Sequence, residues 1–268
     1  MMFRPRDSHD LKLIDTSLSL SPPATVRWHH DIFGNSIAVA SFLGQSETLK
    51  IESHIKLEHY VDTEPNFSLE PHAREFPFSY STDEVPDLGR TRERHYPDPH
   101  HIIDDWARQF IKNGNGHPAT MDILLAMTRA IPKEFRYVRR DEEGTQTPIE
   151  TLRMRSGSCR DFALLMMEAC RTFGLAARFV SGYVYDSKLA TATGATVGSG
   201  TTHAWTQIFL PGAGWVEFDP TNGLVGGVNL IRVAVARDPR QAIPLAGTFE
   251  GFPDDCVGMD VKVDVKAE

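Results

Sequence analysis

At 268 residues, with 41% hydrophobic and 24% charged side chains, the chain has the composition of a globular protein able to bury one large core or two smaller ones. Its formal charge of −8 argues against nucleic acid as the main partner, because phosphate binding relies on clustered Lys and Arg. No apolar run approaches the roughly 18 residues of a membrane span, and the amino terminus lacks the apolar centre of a signal peptide. Three cysteines form no disulfide framework, so reduced thiols and a cytoplasmic location are expected.

Residues 1–62 read as a small antiparallel β region. Leu49, Ile51, Ile55 and Leu57 alternate with Lys50, Glu52, Lys56 and Glu58, the period of a strand with one buried face. Upstream, two strand-like runs flank the turn Phe33-Gly34-Asn35. Residues 63–98 are rich in proline and charge and read as an ordered linker, with one short strand near Glu75 to Tyr80. Residues 99–268 form the expected second, larger domain, with strands at its carboxy-terminal end. Its first helix begins at Asp98, which caps, with Pro99 in the first helical position and Ile102, Trp106 and Phe110 at helical spacing. A second helix carries Ile123, Leu124, Met127 and Ile131, and Thr147-Pro-Ile-Glu150 is a capping box that opens a third.

The stretch Arg155-Ser-Gly-Ser-Cys-Arg-Asp-Phe-Ala163 is a turn that runs straight into a helix. Ser158 and Asp161 form its capping pair, which places Cys159 in the first turn. The positive end of the helix dipole and the free N–H groups there favour thiolate over thiol, so Cys159 is the candidate nucleophile. Phe162, Leu165, Met166, Ala169 and Phe173 mark the buried side of this helix, and Gly174 stops it.

A strand over 177–185 follows, and then a Gly/Ala/Ser/Thr-rich loop over 186–202. His203 opens the next strand-like run, and Asp219 closes the one after it, with Pro211-Gly212-Ala213 between. Pairing the two runs about that turn sets residues whose numbers sum to about 422 opposite each other, so that imidazole and carboxylate meet on one face. Cys159, His203 and Asp219 then form a nucleophile, a base and an orienting carboxylate. Leu230 to Ala236 and Val257 to Val265 read as further strands. Strands, linker, helices and strands again give an α+β order.

Other residues draw plainer readings. Asp161 reads as a cap or salt-bridge partner, and Arg160 as the partner of a neighbouring carboxylate ahead of an acidic substrate group. Trp205 and Trp215 stay open between core wall and substrate platform. Cys170 and Cys256 are ordinary thiols. His95, His100, His101, Asp104 and Asp105 lie close in sequence, but neither HExxH nor paired CxxC occurs, so no metal and no cofactor is expected.

Three motifs, Gly157-Ser-Cys-Arg-Asp-Phe-Ala163, His203-Ala-Trp and Gly214-Trp-Val-Glu-Phe-Asp-Pro-Thr-Asn222, together resemble the transglutaminase-like superfamily. Arg4-Pro-Arg-Asp-Ser-His9 and Trp28 to Asn35 are similar to the amino-terminal region of its bacterial members. The resemblance implies a papain-like core with Cys159 as nucleophile, His203 as general base then acid, and Asp219 as its orienter. It implies acyl transfer on a protein or peptide substrate, by hydrolysis of a peptide or isopeptide bond or by transamidation. Animal transglutaminases carry Gln and Trp beside the cysteine where this chain has Ser158 and Arg160, and no acidic loop here resembles their calcium sites, which argues against calcium dependence. Relatives with this amino-terminal region carry a further strand before the Arg-Pro-Arg segment. Either the start is truncated or the sheet has an open edge, and an open edge makes a homo-oligomer one expectation. A binding or scaffold protein on the same fold, and acetyl transfer to arylamines, are the competing readings.

Overall fold

The structure is a computed structural model that describes residues 1–60, 67–111, 117–140, 142–185 and 202–266. The loop expected over 186–202 falls, except for Thr202, outside the described residues. Four antiparallel strands come first: β1 (Leu11–Ser21), β2 (Thr25–His30), β3 (Ser36–Ser41) and β4 (Lys50–His59). They pair as two separate ribbons, β1 with β4 and β2 with β3, the latter turning at Gly34 with φ 73°. The alternation around Leu49 to Leu57 does form a strand, but Ile51, Ile55 and Leu57 are only half-buried, because a two-stranded ribbon has little core to cover.

The turn between β2 and β3 is the region's anchor. Asp31 Oδ1 accepts the N–H groups of Phe33 and Asn35, and Asp31 Oδ2 accepts from Asn35 Nδ2. The Asn35 amide, thus fixed and fully buried, donates to Val235 O at 2.7 Å and accepts from Val235 N at 2.9 Å.

The stretch after residue 66 holds short helical turns, including α1 (Glu84–Leu88), with Leu69, Phe76, Tyr80 and Leu88 buried. The strand expected near Glu75 to Tyr80 reduces to a single bridge between Glu75 and Ala119. Helix α2 (Ile102–Arg108) begins three residues later than the proline suggests. Asp98 does cap it, but across an intervening turn, accepting the N–H groups of Ile102, Ile103 and Asp104. Helix α3 (Thr120–Glu134) buries Ile123, Leu124, Met127 and Ile131. Strand β5 (Arg136–Tyr137) precedes α4 (Pro148–Met154), which has its Thr147/Glu150 capping box and ends with Arg155 left-handed. Strand β6 (Ser156–Gly157) then pairs in parallel with β5.

Helix α5 (Cys159–Thr172) is the axis of the main core. One side packs on β7 (Ala177–Val184) and β8 (Thr202–Leu210), the other on α2 and α4. It is therefore buried all round, with Phe162 to Met167 no more than 1% exposed. Each such large side chain contributes about 1.5–3 kcal/mol of burial, which holds the helix in the core. Its buried Glu168–Arg171 pair, 2.8 Å apart, is satisfied by the N–H groups of His95 and Tyr96 and by the carbonyls of Thr91, Ala177 and Arg237. The sheet continues with β9 (Gly214–Asp219), β10 (Leu224–Val225) and β11 (Leu230–Ala236), in the order β10-β9-β8-β7-β11, all antiparallel. The observed class is α+β.

The strand expected over Val257 to Val265 does not form. Val257, Met259 and Val261 stand in solvent, since alternation alone supplies no partner for the backbone, and no described strand pairs with this segment.

Candidate active site

Cys159 sits where the turn after α4 meets α5. Gly157 lets that turn close, because a Cβ there would stand 2.9 Å from Asp161 Cβ. Asp161, fully buried, accepts the backbone N–H and the hydroxyl of Ser158, both at 2.8 Å. It also accepts from Gln146 N at 2.7 Å and from Arg140, whose Nη1 lies 3.0 Å from Oδ1. One carboxylate thus fastens the preceding loop to the cysteine's turn, as cap and ion-pair partner together. Arg160 departs from expectation: its guanidinium donates to the carbonyls of Arg140 and Glu142, not to a carboxylate, so it braces the same loop.

The hairpin of β8 and β9 turns at Pro211 to Ala213, but its register differs from the sequence reading. Thr206 faces Phe218 and Leu210 faces Gly214, so opposed residues sum to 424 and His203 lies diagonal to Asp219. A slip of two keeps side chains on the same face, whereas a slip of one would have parted them. His203 Nε2 accordingly lies 2.9 Å from Asp219 Oδ2, both side chains buried. Asp219 is held in turn by Thr221 N at 2.9 Å, Asn222 N at 3.3 Å and Asn222 Nδ2 at 2.7 Å. The sequence marks Asn222 only as the end of the Gly214 to Asn222 motif and gives it no role, although its Asp-Pro-Thr-Asn setting is the signal that places it beside Asp219.

With Nε2 committed to Asp219, Nδ1 is the nitrogen left to the sulfur. It is buried and has no partner at hydrogen-bond geometry, yet the Cys159 thiol is near enough to strengthen the imidazole's hold on a proton. Burial by itself would lower the His203 pKa, but the Asp219 charge and hydrogen bond, aided by Cys159, push it up to about 10. Burial works against the Asp219 carboxylate too, and its partners, His203 first, hold its pKa below the usual value. Tyr137, aligned with Gly157 across β5 and β6, sets a half-buried phenol near the same thiol, pushed up to about 12 by burial and by the Cys159 charge.

The remaining candidates fall elsewhere. Trp205 is a core residue with no exposure, while Trp215 is half-buried under the Arg178 guanidinium at 4.0 Å. Cys170 is buried and its thiol is pushed up to about 12, whereas Cys256 is exposed. His101 pairs with Asp104 at 2.8 Å and His95 with Arg237 at 2.7 Å, so they do not converge. Among the described residues no group of His, Cys, Asp or Glu is placed to hold a metal ion, and no helix is long and apolar enough to cross a membrane.

An antiparallel sheet packed on one central helix, with a cysteine at the helix start and a His–Asp pair on adjacent strands, is a papain-like core. Residues 104–220 match the transglutaminase-like superfamily, and residues 1–58 match the bacterial transglutaminase-like N-terminal region. The chain belongs to the transglutaminase-like superfamily. The fold is shared with a candidate cysteine protease from Cytophaga hutchinsonii, with a TM-score of 0.64 and 20% identity over 90% of this chain and 76% of that one. An uncharacterized Mycobacterium leprae protein is 35% identical over 117 residues, 44% of this chain and 40% of the relative. One from Mycobacterium tuberculosis is 32% identical over 150 residues, 54% of this chain and 47% of the relative. The chain thus spans less than half the length of these mycobacterial relatives.

Proposed function

We propose that the protein is a thiol acyl-transfer enzyme that cleaves an amide bond in a protein or peptide substrate, with water as the acceptor. The observation that carries this reading is the buried His203–Asp219 pair, whose second ring nitrogen is left unpartnered beside the helix-start cysteine. The Cys159 thiolate attacks the amide carbonyl carbon and forms the C–S bond. His203 Nδ1 gives its proton to the amine as the C–N bond breaks, which leaves a thioester. Water then attacks that carbonyl while the imidazole takes its proton, and the C–S bond breaks to return the thiolate. Asp219 keeps the ring in one tautomer and offsets its charge throughout. The oxyanion receives the Cys159 backbone N–H, since first-turn N–H groups have no partner within the helix, and the Tyr137 hydroxyl is the second donor. The three free thiols fit a cytoplasmic location.

Iodoacetamide modification mapped by mass spectrometry at about pH 6 tests the nucleophile. Cys159 is expected to react ahead of Cys170 and Cys256 and to slow in His203→Ala, and equal rates with no effect of His203 would overturn the assignment. Incubation of peptides with a labelled primary amine then separates the two acceptors. Cleaved peptide supports hydrolysis, and amine-tagged peptide supports the transamidase.

A further inference from the structure

The strand face that carries His203 and Asp219 also holds a buried polar assembly that the acyl-transfer steps do not use. The Trp205 indole lies against the His203 imidazole, ring centroids 5.9 Å apart and planes within 27° of parallel. Its N–H is donated to Glu217 Oε2. Glu217 Oε1 accepts from Gln207 Nε2 at 2.5 Å and from Arg232 Nη1 at 2.7 Å. Arg232 reaches on to Asp10 Oδ1 at 3.4 Å, in the amino-terminal region. Burial pushes the Glu217 carboxyl up, with Arg232 opposing, but every one of these partners is a donor, so the site is built for the ionised form. Room for the indole is made by Gly182, the register partner of His203, where a Cβ would fall 2.7 Å from Trp205 Cη2 and 2.1 Å from Ile231 O.

A buried carboxylate is costly unless it is paired and hydrogen-bonded, and Glu217 is both, with one of its bonds going to the indole that lies against His203. The ionised Glu217 on the indole N–H drives electron density toward the ring, and a π-face within about 6 Å of a cation attracts it. We propose that Trp205 and Glu217 are positioning residues that hold the His203 imidazolium through the indole face, and that Asp10, through Arg232, ties the amino-terminal region to that support. The proposal rests on the reading of His203 as the acid–base group. The charged groups facing this assembly are Asp219 and Cys159 toward His203, and Arg232 and Arg178 toward Glu217, with Asp10 beyond Arg232.

The test is a pH titration of the imidazole by two-dimensional 1H–15N NMR on the full chain, with the His203 signals assigned from their loss in His203→Ala. Trp205→Phe is expected to lower the His203 midpoint by about one pH unit, a tenfold loss in proton affinity. Glu217→Gln should lower it by roughly half as much, and Asp10→Asn by less again in the same direction, since each removes a negative charge or the face it polarises. Circular dichroism identifies the variants that remain folded. A midpoint that stays within about 0.2 unit of wild type in the folded variants overturns the proposal. If Trp205→Phe does not fold, Glu217→Gln and Asp10→Asn decide by the same criterion. The titration needs no substrate, so a Cys159 that proves unreactive sinks the acyl-transfer reading while leaving this result to stand or fall separately.

Discussion

The helix that carries Cys159 and the two ribbons of the amino-terminal region are built on opposite terms. In the first, nearly every side chain from Cys159 to Arg171 is buried and each buried charge is bonded several times, as Asp161 and Glu168 show. In the second, most strand side chains are exposed or half-buried, with only Leu11 and Ala38 buried, and ion pairs such as Lys50–Glu52 stand in water. The difference teaches where geometry is held. Positions that must not move are fixed by buried polar groups with full sets of partners, while the ribbons need only stay attached, the β2–β3 ribbon through the Asp31–Asn35 turn and the β1–β4 ribbon through the Asp10–Arg232 contact.

Mutations can break that contrast. The largest effect is expected from Cys159→Ser, which should lower acyl transfer by about 10³-fold or more while leaving the melting temperature close to wild type, as peptide cleavage and calorimetry would show. Next is Asp161→Ala, which leaves Arg140 and the N–H of Ser158 without their acceptor. It should destabilise the protein by about 3 kcal/mol by urea unfolding, and a loss no larger than a surface substitution would contradict the anchoring role.

Asp219→Asn gives a pH signature. The folded His203 pKa is raised from 6.5 to about 10, so the pair's contribution is fully present below about pH 6.5 and is lost as pH rises through about 10. Asp219 is lowered from 3.8, so its contribution is present above that value and is lost as pH falls through its lower folded pKa. The stability gap between wild type and variant should therefore be widest between about pH 4 and 6.5 and narrow toward pH 10. A gap that grows with alkalinity would refute the pairing.

In the amino-terminal region, Asn35→Ala removes both bonds to Val235 and should cost about 1–3 kcal/mol, with faster hydrogen exchange in β11. The smallest effect belongs to the carboxy-terminal stretch. Ending the chain after Cys256 should leave the melting temperature close to wild type, since of the described residues beyond it only Val263 and Val265 are even half-buried.

Local signals were legible in the sequence and long-range ones were not. The Thr147/Glu150 box, the Ser158/Asp161 pair that brackets Cys159 and the Phe33-Gly34-Asn35 turn act over three or four residues, and the structure places each where the sequence does. Asp98 caps α2 as its position predicts, but the helix starts three residues later than Pro99 suggests, because a carboxylate can reach N–H groups across a turn. The β8–β9 register came out two residues away, and the His203–Asp219 encounter survived because side-chain parity did. Glu168 and Arg171 gave no sign of their pairing network, since their partners Thr91, His95 and Arg237 lie scores of residues away. Val257 to Val265 misled for the converse reason: a strand is a relation between two chains of backbone, and alternation describes only one.

The Asn35 amide has one more consequence. Donating to the carbonyl of Val235 and accepting from its N–H, it does with a single side chain what a neighbouring peptide unit would do. The outer margin of the five-stranded sheet is thereby stoppered near the carboxy-terminal end of β11 without a sixth strand, and a foreign extended segment that tried to zip along the whole of β11 would first have to pull this plug.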